Sequence, residues 1–161
     1  MSSVRHYRSR SLTAMLAGLA LSLPLLTDAH AAENLALRKG ISFVQDIDAG
    51  FPIEAEKMDD TKVEPGKPTF IFFGARGDLN TSRQAKRVVG IYNRFAKQAV
   101  KFIIIDVDNP PNEDATALLK AHYKGYIPCQ VVLNSQGRPT WNKVGEVPEK
   151  EVADALGAQL Q

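Results

Sequence analysis

The stretch from Thr69 to Asp108 constrains the fold more than any other part of the chain. Two apolar runs, Thr69–Gly74 and Lys101–Asp108, are rich in β-branched and aromatic residues, which is typical of strands buried on both faces. Between them, apolar residues recur with a period near 3.6, which predicts a helix. Strand, helix and strand in this order form a βαβ unit, so we expect parallel strands and a right-handed crossover. The predicted inner side of the helix consists of Val88, Ile91, Tyr92, Phe95 and Ala99.

The first 31 residues have the pattern of a secretory signal peptide. A basic start precedes the apolar run Leu12–Leu26, and Ala29-His30-Ala31 has the small-residue pattern of a cleavage site. The run is shorter than the roughly 20 residues that a membrane-spanning helix needs. We therefore predict cleavage after Ala31 and export to the periplasm, with secretion as the alternative, and no stable membrane anchor.

The charge balance argues against one broad class of partner. The 161 residues carry a formal net charge of +2, and the predicted signal peptide, with three arginines and one aspartate, accounts for it. The remainder is neutral overall, which gives no reason to expect nucleic-acid binding. Its length suits one domain with its own core.

Weaker signals place the remaining elements. Residues 32–66 are predicted to be an N-terminal extension or edge strand, with one short helix and two candidate strands, Ile41–Val44 and Phe51–Ile53. After the βαβ unit, turn and helix-end signals divide the chain into three further parts. These are a helix from Glu113 to Gly125, a hairpin of Gln130–Leu133 and Pro139–Gly145 around the turn 134–137, and a final helix, Glu149–Leu160.

This order of elements resembles the thioredoxin fold. FIFFGA resembles the strand before the redox motif, FIIIDVDNPPNEDATALLKAHYKGYIPC the following strand, loop, helix and G-x-x-P, and VVLNSQGRPTWNKVGEV the terminal hairpin. The resemblance implies an α/β, thioredoxin-like domain over residues 67–161. It implies a central mixed sheet of four to five strands flanked by helices on both faces, with a C-terminal β-hairpin and helix. It also implies that Pro128 is a cis-proline lining a peptide-binding groove.

The redox motif of that family is absent here. In place of W-C-x-x-C the chain has Ala75–Asn80, and Gly77 and Asn80 fall on the two cysteine positions. Dithiol exchange needs an attacking thiolate and a resolving thiol, and these residues supply neither. The sequence therefore favours a redox-inactive protein-binding, accessory or assembly module over an enzyme, with no cofactor. The groove implied by the resemblance comprises Arg76, Gly77, Asp78, Asn80, Ile127, Pro128 and Cys129.

Cys129, the only cysteine, is the one candidate catalytic residue, and two interpretations of it stay open. As an exposed thiolate it would make the protein a single-cysteine thiol–disulfide transferase or a peroxidase-like enzyme, or link two copies into a dimer. As a small hydrophobic residue at the start of a strand it would be inert. The sequence offers no metal site around it.

The helix of the βαβ unit offers two further candidate sites. Asn80, Thr81 and Ser82 are all suitable N-caps, and the first turn would bind a carboxylate or phosphate, or be an ordinary capped helix start. The outer side of the helix is basic and would dock a protein or peptide partner of acidic character or an anionic membrane surface, or be an ordinary solvated face. This basic face comprises Arg83, Lys86, Arg87, Arg94, Lys97 and Lys101.

Overall fold

The computed structural model describes residues 33–161, and the predicted signal peptide lies outside the described residues. The described part alternates strands and helices in the predicted order after an additional N-terminal strand pair. Its elements are β1 (Glu33–Leu37), β2 (Ile53–Glu56), β3 (Thr69–Gly74), α1 (Leu79–Phe95), β4 (Lys101–Asp106), α2 (Glu113–His122), β5 (Cys129–Leu133), β6 (Pro139–Val144) and α3 (Glu149–Gly157).

Four strands form the main sheet, in the order β4-β3-β5-β6. β3 pairs in parallel with β4, as the βαβ unit predicts, and antiparallel with β5, which pairs antiparallel with β6. Every residue of β3 is buried, because both faces of the sheet are covered. The predicted mixed sheet with flanking helices, C-terminal hairpin and final helix is confirmed.

Two apolar clusters fill the opposite faces of this sheet. Phe70 and Phe72 face α1 and α3, whereas Ile71 and Phe73 face α2. This division follows from the alternation of side chains along a strand. The predicted inner side of α1 is correct except at Ala99, which is exposed and lies beyond the end of the helix.

The segment before β3 differs from expectation. β1 and β2 pair antiparallel in a separate two-stranded sheet, and β1 was not predicted. The predicted strand Ile41–Val44 and the short helix are both wrong, since residues 38–52 and 57–68 hold neither strand nor helix and Val44 is exposed. Within this stretch, Phe43 contacts Arg83 and Lys86 of α1 and does not join a sheet. None of the helices in residues 33–161 is long and apolar enough to cross a bilayer.

Lys101 ties this N-terminal segment to the main sheet. Its side chain is 1% exposed, and its Nζ lies 3.1 Å from Asp60 Oδ1 and 3.0 Å from Glu64 Oε1. Burial raises the pKa of Glu64, but hydrogen bonds from Lys101 and Lys67 outweigh burial and hold this pKa below its ordinary value. The prediction that Lys101 belongs to an exposed basic face is therefore wrong, because long-range partners allow its burial.

Candidate functional site

One end of the main sheet brings together segments that are distant in sequence. Phe73, at the end of β3, pairs with Cys129 at the start of β5, which in turn pairs with Val144 at the end of β6. The peptide bond before Pro128 is cis, as predicted. Gly145 N donates to the carbonyl oxygen of Pro128 at 2.8 Å, and this hydrogen bond holds the cis-proline next to the end of β6.

The start of α1 lies at the same end and is capped by the chain's own carboxylates. Asp78, with an extended backbone, is the N-cap, and its Oδ1 accepts from Thr81 N at 2.6 Å. Asp46 Oδ1 accepts from Leu79 N at 2.8 Å. The caps predicted at residues 80–82 lie inside the helix instead. Among the first-turn N–H groups expected to bind a foreign carboxylate or phosphate, those of Leu79 and Thr81 therefore have internal carboxylate partners.

Residues 42–48, which we call the covering segment, lie over the loop between β3 and α1. The Phe43 carbonyl oxygen accepts from Arg83 Nε at 3.1 Å, and Lys86 Nζ lies 5.8 Å from the centre of the Phe43 ring. Gly77 has φ of +72°, and a Cβ added there would lie 3.5 Å from Asp48 Cβ. The covering segment thus contacts one of the two positions at which the resemblance implies a cysteine.

Cys129 lies inside the protein, not in an open groove. It is fully buried in the cluster on the α2 side, with Ile71 and Phe73, and its Sγ donates to Asn142 Oδ1 at 3.7 Å. Burial raises the pKa of the Cys129 thiol, while weaker interactions with Lys124 lower it. Because the thiolate is the reactive form, these surroundings match the interpretation of Cys129 as an inert hydrophobic residue.

The remaining members of the predicted groove do not all meet. Arg76 Nε donates to Asp106 Oδ2 at 2.8 Å, at the end of β4. β4 and β5 flank β3 on opposite sides, so Arg76 is engaged on the side away from Pro128. Ile127 is half-buried beside Pro128, and Asn80 is exposed on the first turn of α1. The structure therefore divides the predicted set between two sides of β3 and the interior.

Part of the predicted basic face borders this site. Arg83 and Arg87 both pair with Glu146, with shortest nitrogen–oxygen distances of 3.6 and 2.8 Å. Together with Lys86, they line an open groove of about 470 Å³ that Glu149 also borders. No acid interrupts the helix locally, but Glu146, in the segment that follows β6, and Glu149, at the start of α3, reduce the positive charge around it.

The other predicted members of the basic face lie elsewhere. Arg94 is in the last turn of α1, over the ring of Phe95, and Lys97 is exposed beyond the end of the helix. Lys101 is buried, as described above. In residues 33–161, no three histidine, cysteine, aspartate or glutamate side chains are grouped so as to hold a metal ion.

A buried amide pair, which the sequence pattern did not predict, lies behind the site. Gln84 Nε2 donates to Gln130 Oε1 at 2.7 Å, and Gln84 Oε1 accepts from Val147 N and from Arg87 Nη1, both at 2.9 Å. The pair joins α1, β5 and the segment after β6, and both amides are fully buried. The one available signal was a polar residue at position 84, one helical turn before Val88 on the inner face.

The exposed apolar side chains lie around the same end of the sheet. Val44 and Ile47 belong to the covering segment, Tyr126 precedes the cis bond, and Val144 ends β6 beside Cys129. Within the described part of the chain, these four are the large hydrophobic side chains exposed to solvent. Exposed apolar residues that lie together mark interaction surfaces more often than scattered ones do.

No protein-family model matches the sequence, and no curated protein matches it significantly. Solved structures are similar at low identity. StoA from Bacillus subtilis is 15% identical over 57% of this chain and 84% of its own, with a TM-score of 0.48. Chloroplastic thioredoxin z is 20% identical over 58% of this chain and 78% of its own, and Fasciola hepatica thioredoxin 19% over 63% and 86%, both with TM-scores of 0.47.

Proposed function

We propose that this chain, which has the strand order and the cis-proline of a thioredoxin-like fold, is an exported, redox-inactive protein-binding module. It holds a segment of a protein partner at the end of the sheet beside Pro128, as an accessory or assembly factor. Export to the periplasm rests on the signal-like pattern of residues 1–31.

One contrast carries the proposal: at this end of the sheet the sulfur is inside the protein and apolar side chains are outside. Cys129 is fully buried, whereas Tyr126, three residues earlier, is 71% exposed. Gly77 and Asn80 supply no thiol. Disulfide exchange requires an accessible thiolate and a resolving thiol, whereas binding requires only accessible contact area.

The surroundings favour a partner segment of particular chemistry. Tyr126 and Val44 would contact apolar side chains of the partner, because both side chains are exposed and the aromatic ring of Tyr126 can bury a large area. Arg83, Lys86 and Arg87 border the neighbouring groove, so acidic residues flanking those apolar side chains would be favoured. Such charges mainly raise the rate of association.

Redox inactivity is tested by reduction of insulin and by titration of the thiol. The mature protein should not accelerate insulin reduction by dithiothreitol, and Cys129 should react with a thiol reagent only after denaturation. Cys129→Ser should leave partner binding unchanged. Turnover of insulin well above the rate in buffer, or rapid labelling of the native thiol, would refute this part of the proposal.

Binding is tested with a permanently unfolded probe, reduced and carboxymethylated lactalbumin, which is acidic. Tyr126→Ser and Val44→Ser should each weaken binding of this probe about tenfold, since each removes an apolar contact surface. Ala121→Ser, at an exposed position on α2, is the matched control and should have no effect. Probe binding is measured by fluorescence anisotropy. If the wild type and all three variants bound the probe equally, the binding surface would lie elsewhere and this assignment would be rejected.

A further inference from the structure

A cavity lies on the other side of β3, away from Pro128. It has a volume of about 430 Å³ and lies at the ends of β3 and β4, which are parallel. Small-molecule sites commonly occupy about 300–1,000 Å³. In α/β sheets, ligands collect at the carboxyl ends of parallel strands. Both the size and the place of this cavity therefore suit a small ligand.

The floor of the cavity is apolar and well ordered by packing. Phe51, Ile53 and Ile104 line it and are buried in the cluster that also contains the inner face of α1. Met58 lines it as well and is only partly buried. A ligand that fills this space would therefore place an aliphatic or aromatic group against these side chains.

Two arginines at the rim are held in place through one nitrogen each. Arg76 Nε donates to Asp106 Oδ2 at 2.8 Å, and Arg38 Nε donates to the carbonyl oxygen of Phe51 at 2.9 Å. A guanidinium has five N–H donors, so each of these contacts leaves the terminal nitrogens as donors to a ligand. Arginines fixed in this way suit a carboxylate, which accepts two parallel hydrogen bonds.

The rim also carries acids, and these narrow the choice of ligand. Asp106 is paired with Arg76, and Glu54 Oε2 forms a long ion pair of 3.9 Å with Arg38 Nη1, beyond hydrogen-bond distance. Asp59 is the third acid in the lining. The lining therefore contains three acids and two arginines, so it does not favour a simple anion. A ligand with one carboxylate and one ammonium group matches both kinds of charge.

We propose that this cavity binds a short peptide with free ends and apolar side chains. Its carboxylate lies against Arg38 and Arg76, and its ammonium group against Glu54 and Asp59. Its side chains pack on the floor. This site is separate from the protein-binding surface beside Pro128, and neither proposal depends on the other.

The test uses the dipeptide leucyl-leucine, its C-terminal amide and its N-acetylated form, with binding measured by calorimetry. The free dipeptide should bind, and either blocked form should bind at least about tenfold more weakly, because each loses a charge-assisted contact. Arg76→Gln should weaken binding of the free dipeptide by a similar factor. Arg94→Gln is the matched control, since Arg94 lies on α1 away from the cavity, and it should bind normally.

Methyl resonances locate the site independently of affinity. The dipeptide should shift those of Ile53, Ile104 and Met58 and leave Val131 unchanged. Absence of binding at millimolar dipeptide, equal binding of the free and amidated forms, or shifts at Val131 alone would each overturn the proposal. Tighter binding of free leucine than of the dipeptide would overturn the assignment to a peptide.

Discussion

Carboxylates attach the N-terminal segment to the rest of the protein in two places, and the two places differ in burial. Asp60 and Glu64 hold the ammonium group of Lys101, which is 1% exposed. Asp46, in contrast, caps an exposed helix end through the N–H of Leu79. The carboxylates at the two places should therefore contribute different amounts to the free energy of unfolding. An unpaired buried charge costs far more than an unpaired group in water.

The largest expected effect comes from removing both acids at the buried attachment. Asp60→Ala with Glu64→Ala leaves the Lys101 ammonium buried without a partner, and the free energy of unfolding should fall by about 3 kcal/mol. Urea denaturation followed by circular dichroism measures this. Adding Lys101→Met to the double variant should restore much of the stability, since an apolar side chain then fills the site. No rescue would show that the loss has another cause.

A smaller effect is expected at the exposed attachment. Asp46→Ala should lower the free energy of unfolding by about 1 kcal/mol, the usual cost of a lost helix cap, and Asp78→Ala should cost a similar amount. Asp46→Asn is the matched variant, because its amide oxygen still accepts the hydrogen bond from Leu79. A loss of about 3 kcal/mol or more at Asp46 would contradict the contrast between the two attachments.

The buried attachment should also depend on pH. The pKa of Glu64 is lowered in the folded state, so its contribution to stability is fully present above the ordinary glutamate pKa of about 4.3. The contribution is lost as the pH falls below that value and through the lowered pKa. The difference in stability between the wild type and Glu64→Gln should therefore shrink in acid. If the stability difference between the wild type and Glu64→Gln grew in acid, it would contradict a lowered pKa of Glu64 in the folded state.

The smallest effect is expected at Asn80, which the sequence marks as a helix cap and the structure does not. Asn80→Ala should change the free energy of unfolding by less than about 0.5 kcal/mol, because its side chain is exposed in the first turn of α1. Comparison with Asp78→Ala under the same conditions identifies the true cap. A larger loss at position 80 than at position 78 would reverse the assignment.

The fold was predictable because its signals are local. The bounds of β3 and the turn at 134–137 follow from short stretches of sequence, as do the inner residues of α1. The candidate site was predictable only in part. The cis bond before Pro128 was predicted correctly through its motif, whereas the contact of Arg76 with Asp106 at the end of β4 was not predicted. β1 was missed because its five residues, ENLAL, do not have the alternating apolar pattern of a strand.

The sequence by itself determined the order of the strands and helices from β3 onward, the apolar faces that join them, and the absence of a second thiol. These properties depend on which residues are present and on their spacing. Only the tertiary structure decided that Cys129 is buried, that Lys101 is an internal ion-pair partner, and that Asp46 caps α1. Each of these depends on groups far away in the sequence, because folding removes water from a polar side chain and other parts of the chain must replace it.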